Sequence, residues 1–126
     1  MPGISIFQEQ DKVIVFTDLA HLSVENAPAV MDEAVSVISK YPLKSVNSLV
    51  DMTGMRFNKV IIAKVTDIAR KNEPYVVITA IVGLNSVAKL IAKSVIKLTG
   101  RNTVLFDELE EAKNWLIQNN EEYVQK

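Results

Sequence analysis

Residues 75–82 read Tyr-Val-Val-Ile-Thr-Ala-Ile-Val, a nearly continuous apolar run. A short run of this kind is typical of a strand that is covered on both faces, as the inner strands of a parallel sheet are. Gly83 interrupts the run, and Ser86 begins a segment with helical periodicity. A buried strand followed by a helix is the repeating unit of an α/β fold, so this stretch favours that class.

Strand and helix patterns alternate on both sides of this run. Strands are predicted at residues 4–7, 13–17, 46–52, 75–82 and 103–106, and helices over about 27–41, 58–71, 86–98 and 109–123. The first strand should pair antiparallel with the second, because the polar link between them is short, and helical crossovers should make the other strands parallel. The predicted fold class is therefore α/β, a mixed five-stranded sheet covered by four helices in the order ββαβαβαβα.

Local signals predict how these helices begin, end and face the core. Ser23 is the predicted N-cap of the first helix, and Asp107 with Glu110 forms a capping-box-like start for the fourth. Gly100 is placed just past the end of the third helix, where glycine adopts the left-handed conformation cheaply. The apolar stripe of the third helix is predicted to consist of Val87, Leu90, Ile91, Ser94, Val95 and Leu98.

The composition is that of one globular domain over residues 1–126. Hydrophobic residues make up 48% of the chain, which contains no cysteine and one histidine, His21. Thiol chemistry, cysteine zinc sites and a two-histidine metal site are therefore excluded, and we expect neither a metal nor another cofactor. Lys plus Arg number 14 against 15 Asp plus Glu, so the net charge gives no reason to expect nucleic acid as a partner.

No stretch of the sequence predicts a targeting peptide or membrane insertion. Residues 1–11 lack the basic and apolar regions of a signal peptide. The longest uncharged run, residues 74–88, is shorter than the roughly 20 residues that span a membrane. A cytoplasmic location is the resulting prediction.

Polar residues follow each parallel strand, and they should meet because the carboxyl ends of parallel strands share one edge of the sheet. We name this the strand-end edge; its predicted members are Asp18, His21, Asp51, Thr53, Gly54, Gly83, Asn85, Ser86 and Asp107. The three aspartates could chelate a hard cation, but helix and turn caps are the more common role. The step from Gly83 to Ser86 could hold a small anion, although it lacks the spaced glycines of nucleotide-binding loops.

A row of basic residues marks the predicted third helix. Lys89, Lys93 and Lys97 repeat every four residues, and Arg101 lies just beyond. This spacing aligns them on one face, which we name the basic stripe. A solvated helix face is the favoured interpretation, because long aliphatic stems commonly cover apolar surface. The alternative is a docking patch for an acidic partner or a lipid headgroup.

The segment Ser48-Leu-Val-Asp-Met-Thr-Gly-Met55 is a strand that ends in Asp-x-Thr-Gly before a helix. It resembles the STAS domains, the sulfate-transporter and anti-sigma-factor-antagonist family, and fits the SpoIIAA-like (STAS/SEC14-type) branch best. The similarity extends through residues 75–84 and 106–116. The resemblance implies a single STAS-like domain that acts by binding.

Antagonist-type STAS domains carry a phosphorylatable serine or threonine where the second helix begins. The matching positions here, Asn58, Lys59 and Val60, have no hydroxyl, so the resemblance implies partner recognition without that switch. Thr53 is the nearest hydroxyl, and we expect it to bond to the backbone of its turn. A weaker resemblance to receiver phosphoacceptor domains rests on residues 49–52 and 74–80, but the sequence lacks their acidic pair for magnesium.

The predicted function is that of a small, non-enzymatic, STAS-like binding or regulatory domain with a protein partner. A homo-oligomer is favoured by the mean hydropathy of +0.15. The alternatives are a small-ligand or lipid-headgroup module at the strand-end edge, and a receiver-like domain; an enzyme lacks a convincing base–nucleophile pair. The predicted binding residues are Asp51, Thr53, Gly54, Asn58, Lys59, Gly83, Asn85 and Ser86.

Overall fold

The computed structural model describes residues 3–99 and 102–124, and its elements follow the predicted order ββαβαβαβα. The elements are β1 (Gly3–Glu9), β2 (Lys12–Asp18), α1 (Ala27–Ile38), β3 (Val46–Asp51), α2 (Lys59–Asn72), β4 (Val76–Val82), α3 (Ser86–Thr99), β5 (Thr103–Phe106) and α4 (Leu109–Val124). Among these elements no helix is both long and apolar enough to cross a membrane.

The five strands of the described residues form one sheet in the order β1-β2-β3-β4-β5. β1 pairs antiparallel with β2, and β2, β3, β4 and β5 run parallel to one another, so the predicted strand directions are confirmed. Gln10 and Asp11 join β1 to β2 with φ values of 51° and 66°. Positive φ at both central residues is the geometry of the tight turns that match the twist of a hairpin.

The helices divide unequally between the two faces of the sheet. Successive parallel strands lie side by side in chain order, so right-handed crossovers place α1, α2 and α3 on one face and leave the other to α4. On the α4 face the buried core consists of Ile14, Leu49, Ile78, Ala80, Val82, Ala112, Leu116 and Ile117. On the three-helix face it contains Leu19, Ala27, Met31, Met52, Met55, Ile61, Leu84 and Ala88.

Two predicted helix starts are displaced. α1 begins at Ala27 with Asn26 in the N-cap position, but Ser23 caps the turn before it: its hydroxyl accepts a hydrogen bond from the Asn26 amide at 3.2 Å, and its carbonyl accepts one from the Ala27 amide at 3.0 Å. α4 begins one residue later than a cap at Asp107 requires, since the Ala112 amide donates to the Glu108 carbonyl at 3.1 Å. The predicted position of Gly100 lies outside the described residues.

The buried face of α3 differs from the predicted stripe. Val87 and Leu90 are each 68% exposed, and Ser94 is exposed as well. Ala88 is buried in the core of the three-helix face, and Ala92 packs against it. The prediction was wrong for these three residues, because two overlapping sets of apolar positions both follow helical spacing and periodicity alone does not choose between them. The predicted members Ile91 and Val95 are half-buried, and the side chain of Leu98 lies outside the part of the chain that the structure describes.

Candidate functional site

The loops of the strand-end edge do meet, and backbone hydrogen bonds join them. The Leu19 amide donates to the Asp51 carbonyl at 2.9 Å, and the His21 amide donates to the Thr53 carbonyl at 2.8 Å. Further along the edge, the Gly83 amide donates to the Phe106 carbonyl at 3.2 Å. The parallel register therefore assembles the predicted polar gathering.

Asp51 uses its carboxylate to hold the turn that follows β3. Its Oδ1 accepts hydrogen bonds from the Thr53 backbone amide at 3.0 Å and from the Thr53 hydroxyl at 2.6 Å. This pairing fixes the Asp-x-Thr segment in a compact turn of the kind that short polar side chains stabilise. Thr53 thus bonds within its turn, to the carboxylate of Asp51 and not to a backbone acceptor.

Two glycines allow the loops of the strand-end edge to approach so closely. Gly54 has a φ of 71°, and a Cβ there would lie 2.6 Å from Cε1 of His21. Gly83 has a φ of 89°, and a Cβ there would lie 2.8 Å from Cα of Thr53. Both positions need a residue without a side chain, so these glycines are explained by packing.

Asn58 and Asn85 act as helix caps. The Asn58 side chain accepts a hydrogen bond from the Ile61 amide at 2.8 Å, and the Asn85 side chain accepts one from the Ala88 amide at 2.8 Å. Each thereby satisfies a backbone donor in the first turn of α2 or α3. Lys59 and Ser86, the first residues of these helices, are exposed to solvent.

Each aspartate of the strand-end edge has its own hydrogen-bond partner, and the three carboxylates do not share one site. Asp18 Oδ1 accepts from the Ala20 amide at 3.0 Å, and Asp107 Oδ1 accepts from Nζ of Lys89 at 2.8 Å. Among the described residues, no group of three His, Cys, Asp or Glu side chains is close enough to hold a metal ion. The arrangement is that of turn, cap and ion-pair contacts.

The basic stripe is divided by its contacts. Lys89 forms the ion pair with Asp107, whereas Lys93 and Lys97 are exposed on α3. Arg101 lies outside the described residues. The part of the stripe that is described therefore contains one lysine tied to the β5–α4 loop and two that face solvent.

A cavity of about 110 Å³, which the sequence patterns did not predict, lies between the sheet and the three-helix layer. Side chains of α1, α2 and α3 form its roof, and the inward-facing side chains of β2–β5 form its floor. The described residues that line it are apolar apart from five: Thr17, Ser48, Asn72, Thr79 and Thr103. In the part of the lining that the structure describes, no residue is Asp, Glu, His, Lys, Arg, Tyr or Cys.

Four of the five polar lining residues lie nearer the amino ends of the strands than Val50 and Ile81 do, whereas Thr17 lies near the carboxyl end of β2. Ser48, Thr79 and Thr103 are register partners across β3, β4 and β5, so their side chains form a row on one face of the sheet. Asn72 ends α2, and its carbonyl accepts from the Tyr75 amide at the start of β4. We define these four residues, Ser48, Asn72, Thr79 and Thr103, as the polar corner of the cavity; Thr103 begins β5, whereas Thr79 lies at the middle of β4.

Comparison with known proteins bears on the fold. The crystal structure of an uncharacterised protein from the DUF3478 family with a SpoIIAA-like fold, from Shewanella loihica PV-4, is similar to this chain with a TM-score of 0.68. The likeness covers 92% of this chain and 95% of that chain at 17% sequence identity. Neither a protein-family model nor a curated protein matches the chain. The element order, the mixed sheet and this likeness together show that the chain has a SpoIIAA-like, STAS-type α/β fold.

Proposed function

We propose that this chain is a small-molecule-binding domain that holds a compact apolar ligand between its sheet and the three-helix layer. The observation that carries the proposal is the cavity of about 110 Å³ with its largely apolar lining. Binding pockets for small molecules are typically concave and apolar with a few placed polar groups, and this cavity has that character.

The size of the cavity sets the size of the ligand. An engineered apolar cavity of about 150 Å³ in another protein binds benzene, so this smaller one suits a single ring or a short branched chain. At about 24 cal/mol per Å³, leaving such a volume empty costs on the order of 2–3 kcal/mol of stability. A ligand that fills the space recovers much of that free energy, which provides a driving force for binding.

The same lining argues for binding and against catalysis. General acid–base chemistry needs a titratable side chain next to the reacting atom, and the lining residues that the structure describes include none. At the strand-end edge, Asp51, Asn58 and Asn85 are committed to turn and cap hydrogen bonds. A non-enzymatic role is therefore part of the proposal.

Titration of the purified protein with toluene, followed through the methyl resonances of isoleucine and valine, tests this function. We expect saturable shifts at Ile62, Val65 and Ile81, which line the cavity. The variant Ala69→Leu places three more carbons in the cavity and should abolish binding. Ala63→Leu makes the same change at an exposed position of α2 and should bind as the wild type does. Absence of saturable shifts in the wild type, or unchanged binding in Ala69→Leu, would contradict the proposal.

A second candidate function is recognition of a protein partner at the strand-end edge, as part of a regulatory role. Exposed apolar side chains favour it: Val60, at the start of α2, is 71% exposed, and Val87 and Leu90, at the start of α3, are each 68% exposed. Lys59 adds an exposed positive charge beside Val60. A partner with an acidic and apolar surface would suit this region, and no hydroxyl at residues 58–60 is needed.

Pull-downs from the native cell test this second candidate. Lys59→Glu should lose the partner, whereas Lys40→Glu, at an exposed site after the end of α1, should retain it. If Lys59→Glu and Lys40→Glu recover the same amount of the partner, the partner binds to another surface. Native mass spectrometry of the recovered protein tests the proposed homo-oligomer, and cell fractionation tests the cytoplasmic location.

A further inference from the structure

The carboxamide oxygen of Asn72 is buried without a hydrogen-bond partner among the described residues. Its residue is 8% exposed, and among the described residues its Oδ1 is the buried side-chain polar atom that has no hydrogen bond from the chain. A buried carbonyl oxygen without a donor destabilises the fold, because it has lost its hydrogen bonds to water and gained none from the protein. Such a group calls for an explanation, and Asn72 lines the cavity.

The end of the cavity that contains Asn72 is more polar than the rest. The hydroxyl residues Ser48, Thr79 and Thr103 lie side by side on the neighbouring strands. Toward the carboxyl ends of the strands the lining is apolar apart from Thr17, the register partner of Val50, and includes Val50, Met52, Phe57, Ile81, Leu84 and Ala88. Four of the five polar lining residues therefore belong to the polar corner, and Thr17 is the exception at the opposite end of the cavity.

We infer that the ligand of this cavity is a neutral amphipathic molecule whose single polar group donates an N–H or O–H hydrogen bond to Oδ1 of Asn72. Its apolar body lies against the residues toward the carboxyl ends of the strands. The inference rests on the proposed function, since it names the class of ligand that the cavity takes. An alcohol, a phenol or a primary amide on a small ring or branched chain has this chemistry.

Charge restricts the polar group further. Among the described residues, the lining contains no Lys, Arg or His that could neutralise a carboxylate or phosphate, and a carbonyl oxygen repels an anion. A cation would lack a carboxylate partner for the same reason. Burial of an unpaired charge costs far more than one hydrogen bond returns, so a neutral donor is selected.

The test compares phenol with toluene. The two molecules have the same number of non-hydrogen atoms, and phenol has a hydroxyl where toluene has a methyl group. We expect Asn72→Leu to raise the ratio of the phenol dissociation constant to the toluene dissociation constant about five- to tenfold. Asn114→Leu, at an exposed position of α4 on the other face of the sheet, should leave the ratio unchanged. In the wild type, the side-chain amide resonance of Asn72 should shift with phenol and remain in place with toluene.

The outcomes separate this inference from the proposed function. If neither probe binds the wild-type protein, the proposed function fails and the inference fails with it. If both probes bind but Asn72→Leu leaves their ratio unchanged, the cavity binds small apolar molecules and only the role of Asn72 is refuted. The resonance measurement uses the wild-type protein, so it tests the inference even if Asn72→Leu does not fold. If the side-chain amide resonance of Asn72 does not shift when phenol binds, the inference is wrong.

Discussion

Gly83 lies directly against Thr53: a Cβ at residue 83 would stand 2.8 Å from Cα of Thr53, and the φ of Gly83 is 89°. The loops that follow β3 and β4 can therefore touch only when residue 83 is glycine. We expect Gly83→Ala to lower the free energy of unfolding by about 2 kcal/mol or more, from backbone strain plus the clash with the Thr53 backbone. Urea denaturation of both proteins measures this change.

Gly3→Ala provides the matched control. Gly3 also has a positive φ, 140°, but nothing lies within 4 Å of a Cβ built there. The difference between the two variants therefore reports the contact with Thr53 separately from backbone strain. Equal losses of stability in both variants would show that the packing of the two loops contributes nothing.

The hydroxyl of Thr53 donates to Asp51 Oδ1 at 2.6 Å, in addition to the bond from the Thr53 amide. We expect Thr53→Val to cost about 1–2 kcal/mol of stability, because a charge-assisted hydrogen bond is lost while the volume is kept. Thr53→Ser should retain most of it. Thermal or urea unfolding distinguishes the two variants.

Thr66→Val is the control for this prediction. The Thr66 hydroxyl donates to the Ile62 carbonyl within α2, a local bond that adds little to helix stability. We expect a change of less than about 0.5 kcal/mol. A loss at Thr66 as large as that at Thr53 would show that the Asp51 carboxylate has no special role in the turn.

The ion pair between Lys89 and Asp107 crosses from α3 to the loop before α4, with N and O 2.8 Å apart. The Asp107 side chain is 75% exposed, so solvent screens the attraction. A double-mutant cycle with Lys89→Ala and Asp107→Ala should give a coupling energy below about 1 kcal/mol, falling further in 1 M salt. A larger, salt-independent coupling would contradict the description of this contact as a surface pair.

The fold was predictable because its signals are local. The β-branched runs that became β2 and β4, and the short polar link before β2, each specify a strand or turn from a few neighbouring residues. The strand directions then follow from the lengths of the connections. The buried face of α3 was not predictable in this way, because Val87 and Ala88 begin two equally regular apolar faces and only packing on the sheet selects one.

The cavity was not predictable because its parts are distant in the sequence. Ser48, Thr79 and Thr103 come together only through the parallel register of three strands. In the sequence, Thr79 is one polar residue within an apolar strand, and Asn72 resembles an ordinary polar residue at the end of a helix. The available signal for the cavity was the presence of hydroxyl residues in strands that are covered by helices. These residue types do not by themselves show that a space remains between the strands and the helices.

The asparagines at the starts of three helices provide a last prediction. Asn58 and Asn85 accept hydrogen bonds from the first turns of α2 and α3, whereas Asn26 makes no side-chain cap hydrogen bond at the start of α1. We expect Asn58→Ala and Asn85→Ala each to cost about 1 kcal/mol, because a backbone donor loses its acceptor. Asn26→Ala should change the stability by less than about 0.5 kcal/mol, as measured by urea denaturation.

Aspartate substitutions extend this prediction to the proposed partner surface. An aspartate at residue 58 or 85 can still cap the helix, and its charge is favourable near a helix N-terminus, so both variants should keep wild-type stability. The charge of Asn58→Asp would also repel an acidic partner, so the neutral capping variant Asn58→Ser tests recognition: if Asn58 serves only as a cap, Asn58→Ser should retain any partner recovered with the wild type. Loss of that partner without loss of stability would show that residue 58 contributes directly to recognition at the strand-end edge, and equal stability of Asn58→Ala and the wild type would refute the capping role.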